Sequence, residues 1–579
     1  MESAEGAKVM QGCRASDVVD LGHYDYVIVG GGTSGCVLAS RLSEDDGCRV
    51  LLVEAGDDIV PGQEPADIMS VHADSAFNPR YRWRVPASYL GENATATELA
   101  HQARVLGGGS SLMGMLSLRG VPDDYDLWEK GGATGWGWED VLPWFRRLEC
   151  DLDFDDALHG KTGPVRIRRN PRSDWPPLSN AMAAYAAGRG LPYVADMNAD
   201  FRSGVAALPL AHAFARRQSS SICYLDAAVR RRLNLRILTR AEVVGLVGDG
   251  ASFNGVDIKL ENNDMARAFA GEVVLCAGAL LTPAILMRAG IGPGEQLHAK
   301  GIPVVNDLRG VGRNLQNHPM LFLTAFLPRH AREQQTTISA VHSCIRYSSG
   351  ESDNAPDLYV LALNRTANHP LGRALGALQS YLLKPSSRGK ITLRGPDPAL
   401  PAIAEFDLLS HPEDRRLAVR SLRDMATLAE SSELRQLNAE FFAVKFSARL
   451  RRLNEPTLAN RSLSRATRYL YDAFPAARRL LKRAMPGGPT AAELLSMNDE
   501  ALQALALEYV APSGHHAGTC RMGDLSDPGT VVGPDGKVKG VTGLRVADAS
   551  IMPSLPRGNT NLPTLMIGEK LAAAMRRPG

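Results

Sequence analysis

The chain has 579 residues, 44% of them hydrophobic and 22% charged, and a net charge of +2. These values suit a globular protein of a few domain-sized units and argue against nucleic-acid binding over the whole surface. No run approaches the ~20 apolar residues that a membrane-spanning helix needs.

Residues 1–23 read as a polar leader, without the basic start and apolar core of a signal peptide. The eight cysteines show no C-x-x-C and no paired Cys/His spacing, so reduced thiols and a cytoplasmic setting are expected. Asn93, Asn364 and Asn460 stand in N-x-S/T triplets, which without secretion are chance matches.

Tyr26 to Val29 is an apolar, strand-like run. It leads into a G-x-G-x-x-G loop with Gly30, Gly32 and Gly35 at its glycine positions, and Cys36 to Leu42 then reads as a helix. A second apolar run, Val50 to Val53, ends at Glu54. In such a unit the first glycine allows the tight turn and the second lets the backbone approach a pyrophosphate. The third lets helix and strand pack closely. The helix N-terminus offers free N–H groups to phosphate, and the acid at the end of the second strand is placed to meet a ribose. A dinucleotide site follows; FAD and NAD(P) are both compatible with this stretch.

Residues 101–112 form a Gly/Ser-rich loop running into a short helix. Asn234 to Thr239 and Glu272 to Cys276 are β-prone, and the text after Thr282-Pro283 reads as a helix closed by glycine. From about 316 to 505 the texture changes, mixing strand-like pieces (Leu358 to Leu363, Lys390 to Leu393) with helix-like ones (Pro412 to Ser431). Within it, Arg449 to Arg483 carries ten basic residues and two acidic ones, Glu455 and Asp472, a local net of +8. Apolar residues recur there at helical spacing, and Pro475 must kink or divide the helix. A solvated helical insertion is the plain reading of 449–485; peripheral contact with an anionic membrane is the sharper one. After residue 505 the chain returns to the opening style, with Gly543 to Asp548 and a helix-like Leu562 to Met575. The expected fold is α/β. A Rossmann-like nucleotide-binding domain is built from both chain ends (24–315 and 506–579). It makes an excursion at about 140–215 into a substrate domain of antiparallel sheet and helices, which occupies 316–505.

Four further stretches can be set beside the opening loop: Ala103 to Met113 (ARVLGGGSSLM), Gly278 to Gly292 (GALLTPAILMRAGIG), His515 to Gly523 (HHAGTCRMG) and Asn559 to Thr564 (NTNLPT). Together and in this order they resemble the glucose–methanol–choline (GMC) family of FAD-dependent oxidoreductases, from about Tyr24 to Met575. The text KPSSRGKITLRGPDP and GLRVADASIMPSLPRGNTNLPTLM is most similar to the hydroxymethylfurfural- and aryl-alcohol-oxidising members. The resemblance implies FAD and an alcohol substrate. It puts Gly30, Gly32, Thr33 and Ser34 at the pyrophosphate and Glu54 at the adenosine ribose. Arg104, Val105 and Gly108 fall beside the flavin, and the backbone of Val243 at the adenine. Asp548 and Ala549 fall at the second phosphate and ribityl chain, and Pro563 and Thr564 at the pyrimidine edge of the flavin. His515 aligns with the catalytic histidine and Asn561 with its partner. Alcohol oxidation moves a hydride to flavin N5 and a proton to a base, and histidine titrates near neutrality. Asn561 would donate to the substrate oxygen without adding charge. Adjacent His515 and His516 lack a third ligand at metal spacing, so no metal is expected.

This chain departs from the family pattern at four places. His516 replaces the usual proline. Met113 replaces an asparagine beside the flavin. Leu112 stands where some members carry a histidine bonded to FAD, so FAD is expected to be non-covalent. Gly514 stands where furfural-oxidising members carry tryptophan, which implies a roomier pocket. The leading reading is oxidation of a primary alcohol, aromatic or allylic ones favoured, to the aldehyde, with O₂ or a quinone as acceptor. The alternatives are a membrane-associated quinone-linked dehydrogenase and a flavin-dependent lyase. His515 speaks against a photodecarboxylase, which lacks it.

Overall fold

The computed structural model describes residues 18–91, 98–213, 215–334, 339–350, 355–445, 447–474 and 487–576. The predicted β–loop–helix–β unit is present as strand β1 (Val19–Val29), helix α1 (Thr33–Leu42) and strand β2 (Val50–Val53). β1 runs parallel to β2 on one side and to Met265–Leu275 on the other. Leu235–Leu238 extends the parallel sheet beyond β2. A strand from the far end of the chain, Leu544–Val546, pairs in parallel with Met265–Leu275. The remaining pair, Glu242–Asp249 and Ser252–Lys259, closes the other edge in antiparallel fashion. β2 is buried along its whole length, VLLV, because helices and loops cover both faces, as central parallel strands require.

The last helix, Asn561–Met575, lies against α1, so the two chain ends meet across one layer. A buried carboxylate joins them. Glu569 accepts from Arg41 Nη2 and Tyr224 Oη, each at 2.8 Å, and Arg147 approaches at 3.3 Å.

The second sheet runs in the order Gly487–Thr490, Phe441–Val444, Pro319–Phe326, Leu375–Leu382, Leu358–Leu363, Val341–Tyr347, Gly204–Ala207 and Tyr193–Val194. Its strands are antiparallel except the last pair. The strands at 193–207 therefore join the sheet built from residues after 316. Alternation of side chains across each strand sets the two faces. Leu358, Val360 and Ala362 pack under helix Pro177–Gly188, and Leu378 and Leu382 under helix Pro412–Ala429. Leu361, Leu363, Gln379 and Tyr381 face the other way, into a cavity shared with the first sheet. No helix among the described residues is long and apolar enough to cross a membrane.

Among its described residues the basic stretch folds as two helices, Ala448–Leu453 and Leu458–Ala473. The division falls around Pro456, which the sequence reading passed over. The second helix stops before Pro475, as the restriction on the residue preceding proline favours. Residues 475–486, with four of the ten basic side chains, lie outside the described residues.

Candidate active site

The site is a cavity of about 670 Å³ between the two sheets, within the usual range of about 300–1,000 Å³ for ligand pockets. Of the residues singled out above, Gly30, Gly32, Thr33, Ser34, Glu54, Gly108, Met113, Val243, His515, Asp548, Ala549, Asn561 and Thr564 line it.

The glycine loop has the shape a dinucleotide needs. Gly30 adopts φ +101°, and a Cβ there would stand 2.6 Å from the Cys276 carbonyl oxygen. A Cβ on Gly35 would sit 2.0 Å from the Gly30 carbonyl oxygen, so only glycine lets α1 approach β1 this closely. At Gly32 the nearest atom to such a Cβ is 3.7 Å away, leaving backbone open to the cavity. Glu54 is buried at the end of β2 and accepts from the N–H groups of Gly31 (2.8 Å) and Gly56 (2.7 Å). Burial pushes its carboxyl up, and those two donors and the Arg104 charge oppose the shift. The Arg104 guanidinium lies over the Trp83 ring with its Nε buried and unpartnered within the protein. An open glycine cradle with a buried carboxylate at the end of β2 fits a dinucleotide such as FAD.

Four of the expected cofactor residues do not wall this cavity. Gly35 is spent on the helix–strand contact. Arg104 lines an adjoining cleft with Asp57, Arg240 and Glu242. Val105 is buried and bridges to Asp57. Pro563 is buried in the first turn of the last helix. Asp548 lines the cavity, yet its carboxylate already accepts from Gly278 N–H, Thr282 Oγ1 and Ser550 N–H at 2.6–2.8 Å. Its side chain holds the loop in place, which leaves Ala549 at the wall.

His515 follows a short strand, Ala511–Pro512, whose pairing with Pro319 and Met320 sets two loops side by side. Asn317 Oδ1 accepts from the His515 N–H (3.0 Å) and from Ser513 Oγ (2.7 Å). His515 Nδ1 lies 2.9 Å from His318 Nδ1, and His318 Nε2 lies 3.1 Å from the Leu383 carbonyl oxygen. Tyr381 stacks on the His515 ring at 6.0 Å. Burial holds the His515 imidazole well below the ordinary histidine range, with smaller contributions from His318 and His516.

Two asparagines lie near His515, the expected Asn561 and also Asn559. Asn559 Nδ2 lies 3.0 Å from His515 Nε2. Asn561, two residues on, lines the same cavity and accepts from Thr33 Oγ1 at 3.0 Å. The loop carries both residues in Gly558-Asn-Thr-Asn561, and spacing alone could not say which one faces the histidine. The entry into the last helix decides it, because Asn561 is already that helix's first residue. Asn317, His318 and Tyr381 also went unnoticed in the sequence; each is recruited by strand pairing at long range.

His516 lines the cavity on another side, 5.3 Å from the Phe406 ring, and burial pushes it down to about 4. Gly514 and Met113 answer each other: a Cβ on Gly514 would lie 3.3 Å from Met113 Cε. The methionine fills part of the space that the missing tryptophan vacates.

The three acidic and imidazole groups close enough for a metal, Glu149, Asp151 and His159, belong to an ion-paired knot. Arg119 pairs with Glu149, and Arg169 with Asp151 and Asp196. Against burial, Asp151, Asp196 and Glu149 push His159 up to about 11, so at neutral pH it is the cation at the centre of the knot.

A glycine cradle for a dinucleotide beside a buried histidine and asparagine, under a second sheet, defines an FAD-dependent oxidoreductase. The chain belongs to the GMC oxidoreductase family, whose N-terminal model matches residues 24–320 and whose C-terminal model matches residues 385–568. It is 38% identical over 564 residues to the 5-(hydroxymethyl)furfural oxidase of Methylovorus sp. (strain MP688), covering 95% of this chain and 98% of that one. It is 30% identical to the glucose dehydrogenase [FAD, quinone] of Drosophila melanogaster, covering 96% of this chain and 87% of the relative. The fold is similar to pyridoxine 4-oxidase from Mesorbium loti, with a TM-score of 0.76 and 29% identity over 95% of this chain and 99% of that one.

Proposed function

We propose that this enzyme oxidises primary alcohols, aromatic or allylic ones foremost, to aldehydes, with His515 as base and FAD held non-covalently. The observation that carries the reading is the contact of His515 Nε2 with Asn559 Nδ2 in the cavity wall. When bound, FAD supplies the hydride acceptor, flavin N5. The depressed proton affinity of His515 keeps it neutral near pH 7 and ready to take the hydroxyl proton. The Asn559 amide, released from Nε2 as substrate enters, donates to the substrate oxygen and holds it as charge develops. Tyr381, Leu361, Leu363 and Met113 give the rest of the substrate an apolar wall. Gly514 leaves room for more than a single furan ring. Leu112 lines the cavity where some family members carry a linking histidine, and it offers no nucleophile.

Anaerobic mixing with a benzylic alcohol is expected to bleach the flavin absorbance band, and His515→Ala to slow that bleaching at least ~100-fold. A band that stays yellow with a broad alcohol panel overturns the proposal. The same panel with O₂ and with a quinone analogue separates oxidase from dehydrogenase.

A second reading, quinone-linked and peripherally membrane-bound, draws on the helix Leu458–Ala473. It presents Leu458 (82% exposed), Leu463 (55%), Tyr469 (66%) and, just beyond its end, Phe474 (50%) beside exposed Arg461 and Arg465. Its inner side is fixed to the body by Asp472 with Arg332 (2.6 Å) and by Ser464 with His369 (2.7 Å). An outward face that is both apolar and cationic suits an anionic bilayer surface.

A further inference from the structure

We infer that His318 is a positioning residue that fixes the tautomer of His515, placing hydrogen on Nδ1 and leaving Nε2 bare as the base. The inference rests on the reading of His515 as the base.

The argument is a chain of donors whose direction is set at its far end. A carbonyl oxygen can only accept, so the contact of His318 Nε2 with the Leu383 carbonyl at 3.1 Å requires hydrogen on Nε2. A neutral imidazole carries one N–H, so His318 Nδ1 is an acceptor. Burial keeps His318 neutral, pushing it down to about 4. The 2.9 Å contact between the two Nδ1 atoms then requires His515 Nδ1 to donate. Nε2 of His515 is left as the lone-pair nitrogen, and it accepts from Asn559 Nδ2 at 3.0 Å. The amide orientation agrees, because Asn559 Oδ1 faces the Tyr359 hydroxyl at 3.4 Å. These links point the same way, with the Pro556 carbonyl a second acceptor near His318, and the base left in the row is the nitrogen at the cavity wall.

The arrangement has a consequence for the proton. When the substrate O–H bond breaks, its proton forms the Nε2–H bond. The carbinol C–H electron pair would leave as hydride, for which bound FAD would supply the acceptor, and the aldehyde would remain. His515 is then an imidazolium, and its Nδ1–H keeps a neutral acceptor in His318. Without that acceptor the imidazolium is less stable and the ring is free to adopt the other tautomer, with hydrogen on Nε2 and no base toward the substrate. The other ionisable groups around the pair are His516 and Tyr381 on the His515 side, and Asp124 with Lys384 behind His318. The last two pair with each other at 3.2 Å.

The test uses the FAD-loaded enzyme. His318→Leu removes the acceptor at similar bulk, and His318→Asn restores one at the Nδ1 position. Anaerobic flavin reduction by a benzylic alcohol is expected to slow about 100-fold in His318→Leu and to recover at least about tenfold in His318→Asn. In the wild type labelled with ¹⁵N-histidine, the His515 Nε2 resonance, assigned by its loss in His515→Ala, is expected at the unprotonated position and Nδ1 at the protonated one. Unchanged kinetics in His318→Leu, or slow kinetics that His318→Asn does not rescue, overturns the inference. If His318→Leu does not fold, the wild-type spectrum decides, and a protonated Nε2 overturns it. Full activity in His515→Ala sinks the underlying reading instead; an inactive His515→Ala beside a normal His318→Leu sinks the relay alone.

Discussion

Two asparagines two residues apart make different contacts in one cavity. Asn559 reaches His515, whereas Asn561 ties the last helix to Thr33 in the glycine loop. Asn559→Ala is therefore expected to slow anaerobic flavin reduction ~10–100-fold with FAD content unchanged. Asn561→Ala is expected to leave the reduction rate within about threefold while weakening FAD retention, since it removes one ordinary hydrogen bond of about 1 kcal/mol at the cradle. Stopped-flow reduction and the flavin-to-protein absorbance ratio check both. The reverse pattern would return the substrate-side role to Asn561. The motif itself was plain in the sequence. Which asparagine contacts His515 was not, because a one- or two-residue shift at a helix start changes a side chain's direction completely without altering composition or spacing.

Elements here are held by buried charge as well as by apolar packing. Glu569 on the last helix has no exposed side-chain surface and meets Arg41 of α1. Glu569→Gln removes the buried partner of Arg41, which keeps Glu44 at 2.8 Å, a loss of about 1–3 kcal/mol. It should appear as a lower unfolding temperature coupled to flavin release. An unchanged transition would show that the two ends are held by packing alone. The His159 knot works with the opposite sign to a carboxylate. Its folded-state pKa, about 11, lies above the unfolded value near 6.5. The stability it contributes is thus complete below about pH 6.5 and is lost as pH rises toward 11. His159→Gln should flatten that alkaline decline in denaturant titrations run across the window. The sequence announced β1, α1, β2 and the strand Leu358–Leu363 because each carries its own period and punctuation. It gave no sign of either charge cluster, whose members lie up to 528 residues apart.

At the scale of the whole molecule, the site exists only where two sheets and both chain ends converge. The outer face of Leu458–Ala473 takes no part in this convergence. Co-sedimentation with phosphatidylglycerol vesicles is expected to exceed that with phosphatidylcholine, and to fall with added salt and in an Arg461→Glu, Arg465→Glu double variant. Equal, negligible sedimentation with both lipids would leave a solvated insertion.

By itself the sequence determined the dinucleotide loop, the return of the chain to its first domain and the histidine that would act on substrate. Each is local: a glycine where no Cβ fits, an apolar period, a short motif. Only the tertiary structure decided which asparagine meets His515, that His318 stands behind it, and that Met113 faces Gly514. Those contacts are made by strand pairing and helix entry between distant segments, and no pattern in one segment records the side chain presented by another.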